Sequence, residues 1–357
     1  MKTNYGLLYF IFLVLGFAFS GCDDSEEPTG QDDNSDDVEQ MYFPPVGSGD
    51  WKTVSADQLS WDSASFNDAL QFAKEKRATN LMIVYKGRIV AEEYWRDTDA
   101  TTLRDVNSVA KSMMGFVIGI LQQNGTINLN DKVSDYLDSG WSQSPNTESD
   151  ITIHHLLTMT SGLNEDLQSV GTPGQVWRYS HAAYKMLYEV IKSATDASAR
   201  DYFNKVLFSE IGAKYDWNGY DVQSNARDLV RFGHLIMNDG VWNGKKLLED
   251  EGYFAEMLRP SQTLQPAYGY LWWLNGTDTW YDDDTRTTFD GSIVPSMPSD
   301  ALLAKGFHDQ RIYIVPSLDL IVVRQGEFTG MPESGEGSFD DELWKRIMAA
   351  VNGGALN

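Results

Sequence analysis

A serine and a lysine three residues apart, Ser108 and Lys111, open the run Ser108-Val109-Ala110-Lys111-Ser112-Met113-Met114-Gly115-Phe116-Val117-Ile118-Gly119-Ile120-Leu121. Val109, Met113, Phe116, Val117, Ile120 and Leu121 recur at three- and four-residue spacing, so the run predicts a buried helix with Ser108 in its first turn. Residues three apart share a helix face, which brings the Lys111 amine to the Ser108 hydroxyl without help from tertiary structure. An ammonium among apolar neighbours loses solvation; its pKa falls, and the amine becomes a base near neutral pH. The helix N-terminus supplies free N–H groups and partial positive charge where an oxyanion would form. The plainer reading is a capping serine and a solvated lysine. Against it, this is the sole Ser-x-x-Lys of the chain, and its lysine sits inside an apolar helix.

A serine and a base also need a proton donor for the leaving group. The candidate is Tyr179, in Pro173-Gly174-Gln175-Val176-Trp177-Arg178-Tyr179-Ser180-His181, just ahead of a helix signal. A phenol beside a cationic lysine is expected to have a lowered pKa, to take the serine proton and to pass it on. Taken alone, a tyrosine before a helix is more often core or a rim contact.

Several elements must hold these groups. Ser63 to Lys76 reads as a helix, and Asn80 to Trp95 as two strands around Lys86-Gly87. Gly125 is expected to stop the serine helix. Ile151 to Leu163 predicts a helix capped by Thr152 and halted near Gly162. Ser180 to Ser193 and Ala226 to Asn238 are amphipathic helices. Strand character returns at Tyr268 to Leu274, followed by an acidic loop or flap from Asn275 to Ser299. Strand signals at Ala301 to Lys305, Arg311 to Val315 and Leu318 to Arg324 precede a terminal helix, Asp340 to Val351. The order implies an α/β (α+β) architecture: an antiparallel sheet of about five strands built from both chain ends, with a helical lobe, roughly residues 104–262, inserted between.

The 357 residues, 42% hydrophobic, suffice for a large core, and a net charge of -24 argues against nucleic-acid binding. Residues 1–21 read as a secretory signal, with an apolar run from Leu7 to Phe19 too short to span a bilayer. The ending Phe19-Ser20-Gly21-Cys22 resembles a bacterial lipobox, which implies Cys22 as a lipid-modified first residue and an exported, membrane-anchored protein. Cys22 is the only cysteine, so no internal disulfide is available. Asp23 to Gln40 carries nine acidic and no basic residues, and residues 22–50 are expected to form a solvated tether ahead of a domain at 51–357.

From about Leu81 to the terminal helix, the chain resembles the serine β-lactamase and penicillin-binding superfamily, and most of all its class C-like esterases and 6-aminohexanoate-oligomer hydrolases. The resemblance rests on Ser108-Val109-Ala110-Lys111-Ser112, on His155-Leu156-Leu157-Thr158-Met159-Thr160-Ser161-Gly162-Leu163, and on Pro173-Gly174 through Tyr179-Ser180. It continues in Ala226-Arg227-Asp228-Leu229 with Gly240-Val241-Trp242-Asn243-Gly244, in Tyr268-Gly269-Tyr270 with Trp272-Trp273, and in Gly306-Phe307-His308-Asp309-Gln310. The resemblance implies a β-lactamase/transpeptidase-like fold and an acyl-enzyme on Ser108. It implies Lys111 and Tyr179 as the proton-transfer pair and an oxyanion hole from the N–H groups of Ser108 and Phe307.

The chain departs from this family in three places. Tyr179-Ser180-His181 stands where Tyr-x-Asn is common, and a protonated His181 is expected to repel Lys111 and depress activity in mild acid. Ala304-Lys305-Gly306 replaces Lys-Thr-Gly; strand alternation turns Lys305 from the usual lysine's face, which weakens the case for penicillins and D-Ala-D-Ala peptides. Asp309 replaces a small residue before Gln310, either closing a turn or placing a charge at the pocket mouth. Substrate contacts are expected from His181, Gly306, His308 and Trp177, with Trp272 and Trp273 beside an apolar pocket. His154, His155 and His234 lack metal-ligand spacing, and Asp282-Asp283-Asp284 reads as a solvated loop.

The expected activity is therefore ester or amide hydrolysis on a small-molecule substrate, with no metal or organic cofactor. The rivals are a β-lactamase or D-Ala-D-Ala carboxypeptidase, and a non-catalytic binding lipoprotein.

Overall fold

The computed structural model describes residues 38–353; Cys22, the apolar leader and most of the acidic stretch lie outside the described residues. In chain order, α1 (Ser63–Glu75) leads into a hairpin of β1 (Ala78–Tyr85) and β2 (Arg88–Tyr94), then the serine helix α2 (Val109–Gln123). A mostly helical stretch follows, with α3 (Ile153–Leu157), α4 (His181–Thr195) and α5 (Ala226–Met237). The chain returns through β3 (Trp273–Leu274) and a hairpin of β4 (Thr279–Asp282) and β5 (Thr287–Asp290). It ends with β6 (Leu302–Gly306), β7 (Gln310–Val315), β8 (Leu320–Gly326) and α6 (Phe339–Val351).

The main sheet has six antiparallel strands in the order β2-β1-β8-β7-β6-β3, so both chain ends meet in it as expected. Strand alternation divides its side chains between two cores. Leu81, Ile83, Leu303, Tyr313 and Val322 face α1 and α6, whereas Met82, Val84, Ala304, Ile312 and Val323 face α2 and α5. The serine helix is thus buried on all sides, between sheet and lobe. Each of Phe116, Val117, Ile118, Ile120 and Leu121 contributes roughly 1.5–3 kcal/mol by burial, enough together to outweigh the several kcal/mol that enclosing one lysine costs.

Three expectations need correction. The segment from Tyr268 to Leu274 is not a strand: only Trp273 and Leu274 join the sheet, because Leu271 takes a left-handed φ of 63°. The helix expected over Ile151 to Leu163 stops at Leu157, since Met159 (φ 58°) also turns left-handed; Thr152 caps it as read. Part of the stretch read as tether is packed: His234 Nε2 lies 2.8 Å from the Tyr42 carbonyl, and Arg231 donates to the Pro45 carbonyl at 3.0 Å. Buried donors on α5 recruit these carbonyls, a pull that the composition of the segment conceals.

Candidate active site

Ser108 occupies the N-cap position of α2, with backbone φ -70° and ψ -3°, and its hydroxyl caps nothing. Instead it accepts from Lys111 Nζ at 2.9 Å. The turn carrying it is fastened from both sides. Val106 N–H donates to the Val222 carbonyl at 2.9 Å, and Asn107, in a left-handed conformation (φ 52°), donates through Nδ2 to the Phe307 carbonyl at 3.1 Å. Gly306 lets the end of β6 press against this turn: a Cβ there would sit 2.5 Å from the Val106 oxygen and 3.2 Å from the Ser108 nitrogen. The close approach brings the strand end that leads into Phe307 against the Ser108 amide.

Lys111 is only 4% exposed. Burial, well ahead of any charge, pushes its ammonium down to about 7; Glu165 and Asp221 pull back and Lys185 pushes the same way. The amine lies 2.9 Å from Ser108 Oγ and 2.9 Å from His181 Nδ1, over the rings of Tyr179 (5.1 Å) and Tyr184 (4.5 Å). The expectation for Tyr179 reverses in sign. Burial raises its phenol above the ordinary tyrosine value, and the hydrogen bond with Ser108 only partly offsets this. The raised phenol keeps its proton at neutral pH, whereas the lowered Lys111 ammonium gives up its own there.

Tyr179 is held by contacts that sequence reasoning missed. Its N–H donates to Asp283 Oδ2 at 3.2 Å, while Arg178 pairs with Asp283 Oδ1 at 3.1 Å. So Asp283 is not a solvated loop residue; it ties the tip of the β4–β5 hairpin to the tyrosine. The stretch from Asn275 to Ser299 is pinned at its base by Asn275, which bonds the Val294, Met297 and Pro298 carbonyls at 3.0, 3.0 and 3.1 Å. Arg311 was missed as well: it pairs with Asp340 (3.0 Å) and Asp309 (3.1 Å) and donates to the Gly306 carbonyl at 2.9 Å, fixing the strand end before Phe307. A cation on β7 opposite acidic residues at the start of α6 was the available signal.

A cavity of about 650 Å³ is lined by Ser108, Tyr179, His181, Gly306 and Phe307 together with Trp177, Trp273, Trp280 and Tyr281. Trp177 and Trp273 line it as expected; Trp272 does not, being fully buried against Phe232. His308 does not face the cavity either. Its backbone turns left-handed (φ 59°), its ring lies against Phe307 with centroids 4.2 Å apart, and its carbonyl accepts from Arg324 at 2.8 Å. Asp309 is buried and closes that turn, accepting from Thr329 N–H at 2.9 Å. Lys305 does follow the strand alternation to the α6 side, 3.8 Å from Asp340 Oδ2, and its ammonium is taken up at the cavity rim by Ser334 Oγ (2.6 Å) and the Glu333 carbonyl (2.9 Å).

Known proteins are similar to this chain in sequence or in fold. An uncharacterized protein of Alkalihalophilus pseudofirmus is 26% identical over 298 residues, covering 71% of this chain and 85% of its own length. Protein flp of Staphylococcus aureus is 24% identical over 189 residues, only 38% of its length. Among solved structures, a Bacillus anthracis protein assigned as a 6-aminohexanoate-dimer hydrolase superposes with a TM-score of 0.65 at 16% identity, covering 87% of this chain and 89% of that one. EstCE1, a hydrolase with promiscuous acyltransferase activity, gives a TM-score of 0.58 at 14% identity, covering 84% and 99%. The likenesses to the solved structures are of fold. The family model for Beta-lactamase matches residues 67–324, the stretch that carries most of the sheet, the Ser108 turn and the inserted lobe, and the chain belongs to that family.

Proposed function

We propose that this chain is a serine hydrolase that opens an ester or linear amide through an acyl-enzyme on Ser108. The observation that carries the reading is the buried Lys111 amine 2.9 Å from a serine hydroxyl that borders an open cavity. Neutral Lys111 takes the Ser108 proton as the Oγ–C bond forms, and the substrate carbonyl oxygen turns negative against the Ser108 and Phe307 amides. As the bond to the alcohol or amine breaks, Tyr179 supplies its proton and is reprotonated from Lys111. Water then attacks the acyl carbon and gives its proton to Lys111; the Oγ–C bond breaks, Lys111 returns that proton to Ser108 Oγ, and the acid leaves.

Esters and linear amides are favoured over β-lactams because Lys305, the cation on the strand of the usual carboxylate clamp, is occupied by Ser334 and Glu333. The purified domain should hydrolyse short aryl esters far faster than a chromogenic cephalosporin, and Ser108→Ala should abolish both. Rapid cephalosporin turnover would favour the penicillin-recognising rival, while no turnover of any panel member would favour a binding lipoprotein. We also propose lipid anchoring at Cys22, supported by the lipobox-like sequence alone: palmitate incorporation in a bacterial host should disappear in Cys22→Ala, and its persistence would refute the anchor.

A further inference from the structure

His181 stands where the resemblance leads one to expect a non-titrating amide, and its Nδ1 lies 2.9 Å from Lys111 Nζ. Lys111 therefore has a hydrogen-bonding partner on each side, the serine hydroxyl and an imidazole. An ammonium has three donors and no acceptor, so beside charged Lys111 the Nδ1 atom carries the lone pair. A neutral amine still donates one N–H to Nδ1 while its own lone pair is free for the Ser108 proton. A protonated imidazole reverses the bond: it donates to the amine and occupies that lone pair.

Resting on the acyl-transfer reading above, we propose that His181 is a positioning residue whose neutral imidazole aims the Lys111 lone pair at Ser108, so that Ser108 reacts only when both groups are uncharged. One proton on the pair, wherever it resides, stops the reaction. A second proton enters at lower pH, because burial and then the Lys111 charge hold His181 below its ordinary value.

The groups facing this pair are few. Glu165, from the loop after α3, accepts the His181 and Ala182 N–H groups at 2.7 and 3.1 Å and attracts protons toward both members. Lys185, one turn along α4, opposes protonation of both, and Asp221 favours a charged Lys111. The Tyr179 ring meets the imidazole edge-on at 5.4 Å, and neutral Tyr184 lies under the amine. None of these can replace the imidazole as the acceptor that Lys111 touches.

The test is the rate of inactivation by a fluorophosphonate, measured against pH over the range in which circular dichroism shows the fold intact. Ser108 Oγ bonds to phosphorus, the P–F bond breaks, fluoride leaves, and the serine proton goes to Lys111, so no leaving-group acid is needed. In the wild type, the slope of log rate against pH should steepen from about 1 just below neutrality to about 2 in more acid solution. In His181→Asn, whose Oδ1 accepts the same hydrogen bond but binds no proton, it should stay near 1 throughout. His181→Ala, lacking the acceptor, should lose about tenfold or more on the plateau, with Asn restoring most of that loss. A wild-type slope that never exceeds 1, or an equally steep His181→Asn profile, would overturn the proposal. Undiminished labelling of Ser108→Ala would instead overturn the acyl-transfer reading, whatever the slopes.

Discussion

Replacing Lys111 with methionine is expected to lower kcat/KM for an aryl ester by about 10³-fold or more, because the serine then has no base within reach at neutral pH. The wild-type rate should climb as pH rises through about 7, the value to which burial pushes the ammonium. The same variant should be more stable than the wild type. With a folded pKa near 7 and an ordinary value of 10.5, the unfolded chain binds more protons between those limits, so stability rises with pH across that window. The cost of enclosing the charge is fully present below about pH 7 and gone above about 10.5. Methionine fills a similar volume without that cost, so it should raise unfolding free energy at pH 7 by about 1–3 kcal/mol, with the gain vanishing in alkali. Thermal unfolding beside ester kinetics checks both halves. A slow but less stable variant would mean that Lys111 holds the fold rather than the reaction.

The oxyanion site allows an equally pointed test. Gly306 has φ -129° and ψ 155°, the extended conformation that a following proline demands, so Phe307→Pro removes the N–H without asking Gly306 to change conformation. Turnover of the aryl ester should fall about 10²- to 10³-fold, the loss typical of one oxyanion donor, while Phe307→Ala, which keeps the N–H, should stay near wild type. Equal losses in the two variants would assign the effect to the exposed phenyl ring and not to the amide.

The parts of this site that could be read from sequence are those whose physics is local. Ser108 and Lys111 are three apart on one helix, and the period of Val109 to Leu121 already buries the lysine. The sheet from both chain ends also followed from periodicity, as did the turn of Lys305 toward α6. What failed depended on tertiary context. The sign of the Tyr179 shift turns on how deeply the ring is enclosed, which a sequence reading cannot supply. Asp283 reaches Tyr179 across 104 positions, and Arg311 steadies the Gly306 carbonyl through partners that only the strand pairing brings near. The strand over Tyr268 to Leu274 and the inward-facing His308 failed because the aromatic pattern at the first and the sequence position of the second hide a single left-handed residue in each, Leu271 and His308 itself.

Ser108 as a nucleophile activated by Lys111 is tested most directly by peptide mapping of the fluorophosphonate-treated protein by mass spectrometry. A single adduct should appear on the peptide holding Ser108, be absent in Ser108→Ala, and form far more slowly in Lys111→Met. An adduct on another residue, or the same labelling rate with methionine at position 111, would contradict the account.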